Sequence, residues 1–159
     1  MDIGIDPGLS GAVAVLGTDG VLLALHDVPV LTLSTRSGSR TEYELPGMAA
    51  LLRTYTAPGA HVLIEASQAM PGQGVASTWT TGYGYGAWVG LLAALQIAYT
   101  IIRPASWKRA LGLGKDKEAA RLRAMQLYPK ADLRHKRDHG RAEALLLVWY
   151  GVHHLALKA

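Results

Sequence analysis

Three acidic residues beside apolar runs are the side chains of this 159-residue chain best suited to joint chemistry. Asp6 follows the apolar residues 3–5, Glu65 follows residues 62–64, and Glu143 precedes a run of leucines. A carboxylate next to buried apolar residues is unfavourable unless it has a partner. If the three meet at one point, a cation would relieve their repulsion, which predicts phosphodiester hydrolysis by two carboxylate-bound metal ions. On its own segment, Asp6 also fits a turn or cap aspartate.

The absence of cysteine restricts the kind of metal site that the chain can form. Disulfides and thiolate zinc sites are excluded, so a metal must bind oxygen ligands or histidine, which favours hard cations. His135 and His139 have the helical spacing of a zinc site, but no general-base glutamate lies between them. Residues 82–86 are only a partial dinucleotide fingerprint and follow no strand, so we expect no nucleotide cofactor.

Charge is distributed unevenly along the sequence. Residues 1–100 contain three Lys and Arg against seven Asp and Glu, whereas residues 101–159 contain thirteen against five. The C-terminal part is therefore the expected face for a polyanion. The length suits one domain over residues 1–159. Without a long apolar run or a signal-peptide pattern, the chain is expected to be cytoplasmic and to have no membrane contact.

The positions of the acids depend on a predicted order of strands and helices. Turn residues and apolar runs predict strands at residues 2–6, 11–16, 21–25, 61–65 and 97–103, the first three antiparallel. Helical spacing predicts helices at residues 44–56, 75–95, 105–111, 116–128 and 141–157, the last largely buried.

Two segments need separate treatment. Residues 34–41 are polar, small and basic, so we expect a mobile loop whose Arg36 and Arg40 contact phosphate. The glycines of the 75–95 helix each destabilise it by about 1 kcal/mol, so the helix requires close packing against another helix or a second subunit.

Four motifs, in order and at their intervals, carry a specific resemblance. They are Ile3-Gly4-Ile5-Asp6-Pro7-Gly8, Ile64-Glu65, Pro104-Ala105-Ser106-Trp107-Lys108 and Asp138-His139-Gly140-Arg141-Ala142-Glu143-Ala144. Together they resemble the RuvC family of Holliday junction resolvases, particularly its short bacteriophage-type members. The resemblance implies an RNase H-like fold of the α/β class, with a mixed five-stranded sheet flanked by helices. It also implies a homodimer that nicks four-way DNA junctions symmetrically with two Mg²⁺ ions, or Mn²⁺, during recombination and repair in a bacterial or phage-infected cell.

The resemblance also assigns roles to individual residues. Asp6 corresponds to the central metal-bridging acid, Glu65 to the second ligand and Glu143 to the acid of the C-terminal helix. Family members usually carry a further acid three residues before the last one, where this chain has Gly140. Asp138 is favoured as the fourth ligand because a carboxylate suits Mg²⁺, and His139 is the alternative, as a ligand or as the residue that positions water. Without the resemblance, these two residues also fit an N-cap and a solvated loop residue.

Basic residues complete the expected site. Lys108 and Lys117 match positions that lie near the scissile phosphate in the family, although Lys117 equally fits a solvated helix lysine. Met70, in the flexible loop after Glu65, is a candidate for packing against bases at the junction centre, or a plain surface residue. The wider expected DNA-binding surface includes Arg36, Arg40, Arg109, Arg121, Arg137 and Arg141.

Other functions are compatible with parts of the pattern. The same carboxylate site would serve an RNase H-like nuclease that acts on other branched DNA or on RNA–DNA hybrids. A junction-binding protein without catalysis is the non-enzymatic alternative. The segment 6–11 superficially resembles the first phosphate loop of sugar kinases and actin, but that fold needs two lobes and a second copy of the motif.

Overall fold

A computed structural model describes residues 1–36 and 38–155 and contains a mixed five-stranded sheet in the order β3-β2-β1-β6-β7. Its strands are β1 (Asp2–Asp6), β2 (Ala12–Leu16), β3 (Leu22–Asp27), β6 (His61–Glu65) and β7 (Tyr99–Ile102), and a separate hairpin comprises β4 (Val30–Thr35) and β5 (Gly38–Tyr43). The pairs β1–β2 and β2–β3 are antiparallel, whereas β1–β6 and β6–β7 are parallel. The predicted sheet is confirmed.

Helices cover both faces of the sheet. They are α1 (Leu45–Tyr55), α2 (Val75–Ala94), α3 (Pro104–Ala110), α4 (Lys117–Leu127) and α5 (His139–His154). Strand residues alternate between the two layers, as the pleat requires. In β1, Ile3 and Ile5 join the cluster that contains residues of α1 and α2. In β6, Leu63 joins the cluster with α3, α4 and α5, whereas Val62 and Ile64 point the other way.

Helix α5 packs unusually close to β1. A Cβ added at Gly4 would overlap with the backbone oxygen of Ala144, so only glycine allows the helix backbone to approach the strand this closely. The contact brings the first turns of α5 beside the end of β1. Asp6 and Glu143 are thereby placed at the same edge of the sheet.

The prediction of a mobile loop at residues 34–41 is wrong for the part of it that the structure describes. Residues 34–35 lie in β4 and residues 38–41 in β5, and these strands pair from Val30↔Tyr43 to Thr35↔Gly38. The hairpin is exposed along all of β4, so it has no burial pattern to reveal it. Backbone hydrogen bonds define this hairpin.

The other predicted elements agree with the structure to within a few residues. The last helix begins at His139, two residues before its predicted start, and residues 156–157 of its predicted end lie outside the described part. Among the residues described, none of the helices combines the length and the apolar character needed to cross a membrane.

Candidate active site

The carboxylates of Asp6, Glu65 and Glu143 come from three elements and form one interacting group. Ile5 of β1 pairs with Ile64 of β6 in parallel register, so Asp6 and Glu65 end neighbouring strands. Glu143 lies in the second turn of α5, and its charge acts on both of the other carboxyl groups. The three predicted acids therefore lie close enough for their charges to interact. This acidic triad is defined here as Asp6, Glu65 and Glu143.

Asp6 is held at the start of the turn between β1 and β2. Its Oδ1 accepts a hydrogen bond from the backbone N–H of Gly8 at 3.3 Å. Burial raises the pKa of Asp6 to about 6, and the charge of Glu143 contributes to the rise. The Gly8 N–H and the ammonium groups of Lys117 and Lys108 act in the opposite direction, but they do not cancel it.

Glu65 is held by a tryptophan. Its Oε1 accepts a hydrogen bond from Nε1–H of Trp107 at 2.9 Å, and Trp107 is completely buried. Burial raises the pKa of Glu65 to about 7; the Trp107 hydrogen bond opposes this rise, and the charges of Glu143 and Asp6 add to it. Negative charge at this edge of the sheet is thus only partly compensated by the protein.

Glu143 is paired with Lys108. The Nζ of Lys108 lies 2.7 Å from Oε1 of Glu143, and the two side chains are only 22% and 11% exposed. The same ammonium lies 5.0 Å from the centre of the Trp107 ring, within cation–π range. Adjacent residues of α3 therefore contact two of the three acids.

The donor set fits a hard divalent cation in kind, although its atoms are not gathered into a finished metal site. Within residues 1–36 and 38–155, no three His, Asp or Glu side chains are close enough together to bind one ion as they stand. Lys108 pairs with one of the acids and Trp107 with another. The raised pKa values of Asp6 and Glu65 nevertheless identify a place where a cation would be stabilised.

His139 offers a further donor. It begins α5 four residues before Glu143, so the two side chains share one face of the helix. Its Nδ1 is buried and has no hydrogen-bond partner in the described part of the chain. A buried polar atom without a partner is uncommon and requires an explanation.

Asp138, the favoured fourth ligand, makes different contacts. It occupies the N-cap position of α5, but its side chain does not cap the helix; Oδ2 accepts a hydrogen bond from the backbone N–H of His135 at 2.7 Å. Its charge is felt by Arg121, Arg134 and Arg141. Its role as a metal ligand stays a prediction, and the structure gives it no contact with the acidic triad.

Gly140 cannot be exchanged for an acid in this backbone. A Cβ at this position would overlap with the backbone oxygen of Ser10 and with the backbone of Gly11. An acid at this position would clash with the turn between β1 and β2, because the start of α5 docks directly on that turn.

Two of the predicted DNA-binding arginines are engaged inside the protein. Arg141 forms a bidentate ion pair with Asp27, at 2.6 and 2.7 Å, and also contacts Asp132. Arg121 is buried, pairs with Glu118 and donates to the backbone oxygen of Leu133. Both contact sets connect parts of the fold, so these guanidinium groups are structural in the free protein.

The remaining predicted contacts lie at the surface. Lys117 is exposed at the start of α4, and its charge acts on Asp6. Met70 is 57% exposed in the loop after β6. Arg40 pairs with Glu42 on the hairpin. The others, all exposed, are Arg36, Arg109 and Arg137.

Two contacts of the site were not predicted from the sequence. The hydroxyl of Tyr43, at the end of β5, donates a hydrogen bond to the backbone oxygen of Pro7 at 3.1 Å. Burial raises the pKa of Tyr43 to about 12, and the charge of Asp6 adds to the rise. Trp107 belongs to one of the four motifs, yet no feature of the sequence connects its N–H to Glu65. Tyr43 lies in none of these motifs, so the sequence gives no indication of its contact with the site.

Comparisons with known proteins extend this description. No family model matches the chain. The chloroplastic Holliday junction resolvase MOC1 of Chlamydomonas reinhardtii is 36% identical over 88 residues, covering 53% of this chain and 10% of that protein. The chain thus spans about a tenth of the length of the curated relative that it matches.

Two solved structures from Thermus thermophilus share the fold. RuvC in complex with a Holliday junction substrate has a TM-score of 0.64 at 14% identity, over 98% of this chain and 92% of that one. A second RuvC structure has a TM-score of 0.59 at 17% identity, over 98% and 93%. At these identities the likeness establishes the fold. The predicted RNase H-like α/β architecture is confirmed.

Proposed function

We propose that the protein is a metal-dependent endonuclease that resolves four-way DNA junctions. The observation that carries the proposal is the convergence of Asp6, Glu65 and Glu143, from three separate elements, beside Lys108. Phosphodiester hydrolysis with divalent cations requires several carboxylates on separate elements, whose negative charge the protein neutralises only in part so that it can bind the cations. The fold shared with RuvC and the partial sequence match to a Holliday junction resolvase support the choice of substrate.

In this proposal the acidic triad holds the cations. Bound divalent cations, Mg²⁺ or Mn²⁺, would supply an activated water and stabilise the leaving oxygen. The charge of Glu143 acts on both other acids, and that of Asp6 acts on Glu65. By its resemblance to the central acid of the RuvC family, Asp6 would be the central ligand, with Glu65 and Glu143 as the other two.

His139 is the better candidate for the fourth donor. Its buried Nδ1, which has no hydrogen-bond partner in the part of the chain that the structure describes, and its position one turn before Glu143 favour it over Asp138, whose carboxylate accepts from the His135 N–H. A neutral imidazole is a poorer Mg²⁺ ligand than a carboxylate. His139 would therefore either bind the cation more weakly than an acid would or position the attacking water.

Lys108 has two successive roles in this proposal. In the metal-free protein its ammonium neutralises Glu143 across 2.7 Å. With Glu143 bound to a cation, the ammonium would be available at the site and would stabilise the charge that develops on the scissile phosphate. Exposed Lys117, close to Asp6, would bind the neighbouring phosphate.

We further propose a homodimer formed through α2. The helix contains no charged residue over its 20 positions, which is unusual for a helix with an exposed side. Gly82, Gly86 and Gly90 have nothing within 4 Å of an added Cβ, and exposed Trp79 lies on the same side. A second copy packed on this face would supply the close backbone contact that the glycines permit, and two-fold symmetry would match paired nicks in a four-way junction.

One observation favours the non-catalytic alternative. The ion pair between Lys108 and Glu143 already satisfies one acid, so a protein that only binds junctions would not need a metal to be stable. A nuclease acting on other branched DNA or on RNA–DNA hybrids would use the same acids. The bacteriophage-type branch, the single domain and the cytoplasmic location stay predictions.

The test compares cleavage of a labelled four-way junction, a matched linear duplex and an RNA–DNA hybrid, with Mg²⁺ and with EDTA. Wild type, Asp6→Asn and Glu143→Gln are compared with Asp2→Asn, which makes the same chemical change at the opposite end of β1. We expect paired nicks near the crossover that need metal, vanish in the first two variants and persist in the control.

Other results have distinct meanings. Tight junction binding without nicks would replace the proposal by a structural junction protein. Equal cutting of linear duplex would indicate a general nuclease, and preferred cutting of the hybrid would indicate an RNase H activity.

A further inference from the structure

Trp107 is a buried residue that contacts the acidic triad but has no role so far in the proposed chemistry. Its ring is fully buried in the cluster that joins β6, α3 and α5, among residues such as Leu63 and Leu145. Only its Nε1–H is used, and it points at Oε1 of Glu65 across 2.9 Å. Because the ring is packed on its other sides, the donor is fixed in direction.

The indole is well suited to orienting a metal ligand. It donates one hydrogen bond, accepts none and carries no charge at any pH, so it occupies one carboxylate position without competing as a cation. Lys108, by contrast, neutralises the acid that it contacts. In other metalloproteins, residues that hydrogen-bond to the metal-binding side chains and orient them have a strong effect on metal affinity.

We infer that Trp107 is a positioning residue, which fixes one oxygen of Glu65 so that the other is presented to a divalent cation. The inference rests on the proposed function, since it requires Glu65 to bind metal. A purely structural Trp107 would affect folding stability alone.

Trp88 provides the matched control. It is also fully buried, but it belongs to the cluster on the other face of the sheet, and its Nε1 has no hydrogen-bond partner among the described residues. Trp107→Phe removes both ring bulk and the donor that contacts Glu65. Trp88→Phe removes similar bulk and an N–H that has no hydrogen-bond partner among the described residues.

The first measurement is Mn²⁺ binding by calorimetry on the full chain, which does not depend on cleavage. We expect Trp107→Phe to weaken Mn²⁺ binding about tenfold, within the range seen when outer-shell partners are removed. Trp88→Phe should change the Mn²⁺ affinity less than about twofold, because it removes no contact with a metal ligand. Its thermal stability should fall by an amount comparable to that of Trp107→Phe.

A second measurement needs no folded Trp107 variant. The four indole N–H signals of the ¹⁵N-labelled wild type can be assigned by elimination with Trp79→Phe, Trp88→Phe and Trp149→Phe. The Trp107 signal should shift on adding Mg²⁺ and in Glu65→Gln.

Two results would overturn the inference. One is an unchanged Mn²⁺ affinity in folded Trp107→Phe. The other is a Trp107 signal that does not shift with Mg²⁺ although the wild type binds metal. Either result would exclude this role of Trp107 without contradicting the proposed function. If wild type binds no Mn²⁺, the proposed metal chemistry and the role of Trp107 fail together.

Discussion

Replacing Asp6 by asparagine should stabilise the metal-free protein at pH 8. The pKa of Asp6 is raised from an ordinary 3.8 to about 6, so the folded state holds this proton more tightly than the unfolded chain. Stability is therefore lost as pH rises from about 4 through about 6, and the whole loss is present at pH 8. At 1.36 kcal/mol per pH unit, the difference between a pKa of 3.8 and one of about 6 corresponds to about 3 kcal/mol. The substitution removes the charge and keeps a side-chain oxygen for the Gly8 N–H.

Urea unfolding in EDTA at fixed protein concentration, followed by tryptophan fluorescence, measures this effect. We expect Asp6→Asn to exceed wild type by about 1–3 kcal/mol at pH 8 and to match it near pH 4, where the acid is already neutral in the folded state. Asp2→Asn should follow wild type at both pH values. An Asp6→Asn variant no more stable than wild type at pH 8, or equally favoured at pH 4, would refute the electrostatic reasoning.

Magnesium should offset this advantage of Asp6→Asn at pH 8. A cation that binds the folded state stabilises it by RT ln(1 + [L]/Kd), about 2.7 kcal/mol at a hundred times the Kd. Wild type should gain this stability with Mg²⁺, and Asp6→Asn should gain little because one ligand is lost.

Three further predictions concern other parts of the molecule. Gly140→Ala should destabilise the protein by about 3 kcal/mol in urea unfolding, because its Cβ would meet the β1–β2 turn, whereas Gly114→Ala, in open space, should be near neutral. Gly86→Arg should yield monomers in light scattering and Gly114→Arg should not, since a side chain fits Gly86 in the monomer but not in a packed pair. Lys117→Ala should reduce the salt dependence of junction binding by about one unit of slope, whereas Arg121→Lys should lower stability and leave the slope unchanged; equal slopes for both variants would contradict these assignments.

The acids could be predicted from the sequence because each interrupts or ends an apolar run, which is a local feature. The sequence alone leaves open whether β1 and β6 are neighbours, and the structure pairs them in parallel. The partners of the arginines could not be predicted in this way. Arg141 pairs with Asp27, 114 residues away, and nothing near Arg141 in the sequence distinguishes an internal ion pair from a phosphate contact. The β4–β5 hairpin was missed because its exposed, polar strands carry no burial pattern.

The position of Glu143 depends on the two glycine contacts that bracket it. Gly4 admits the backbone of Ala144 against β1, and Gly140 admits the turn at Ser10 against the start of α5. These contacts lie one residue after and three residues before Glu143, so together they fix both the height and the rotation of its helical turn. The same close docking leaves no space for an acid at Gly140. His139, the residue before it, lies on the same side of the helix as Glu143, and its buried Nδ1 has no hydrogen-bond partner among residues 1–36 and 38–155. The packing of α5 on the β1–β2 turn thus both excludes a larger side chain at position 140 and sets the place of the His139 imidazole one turn before Glu143.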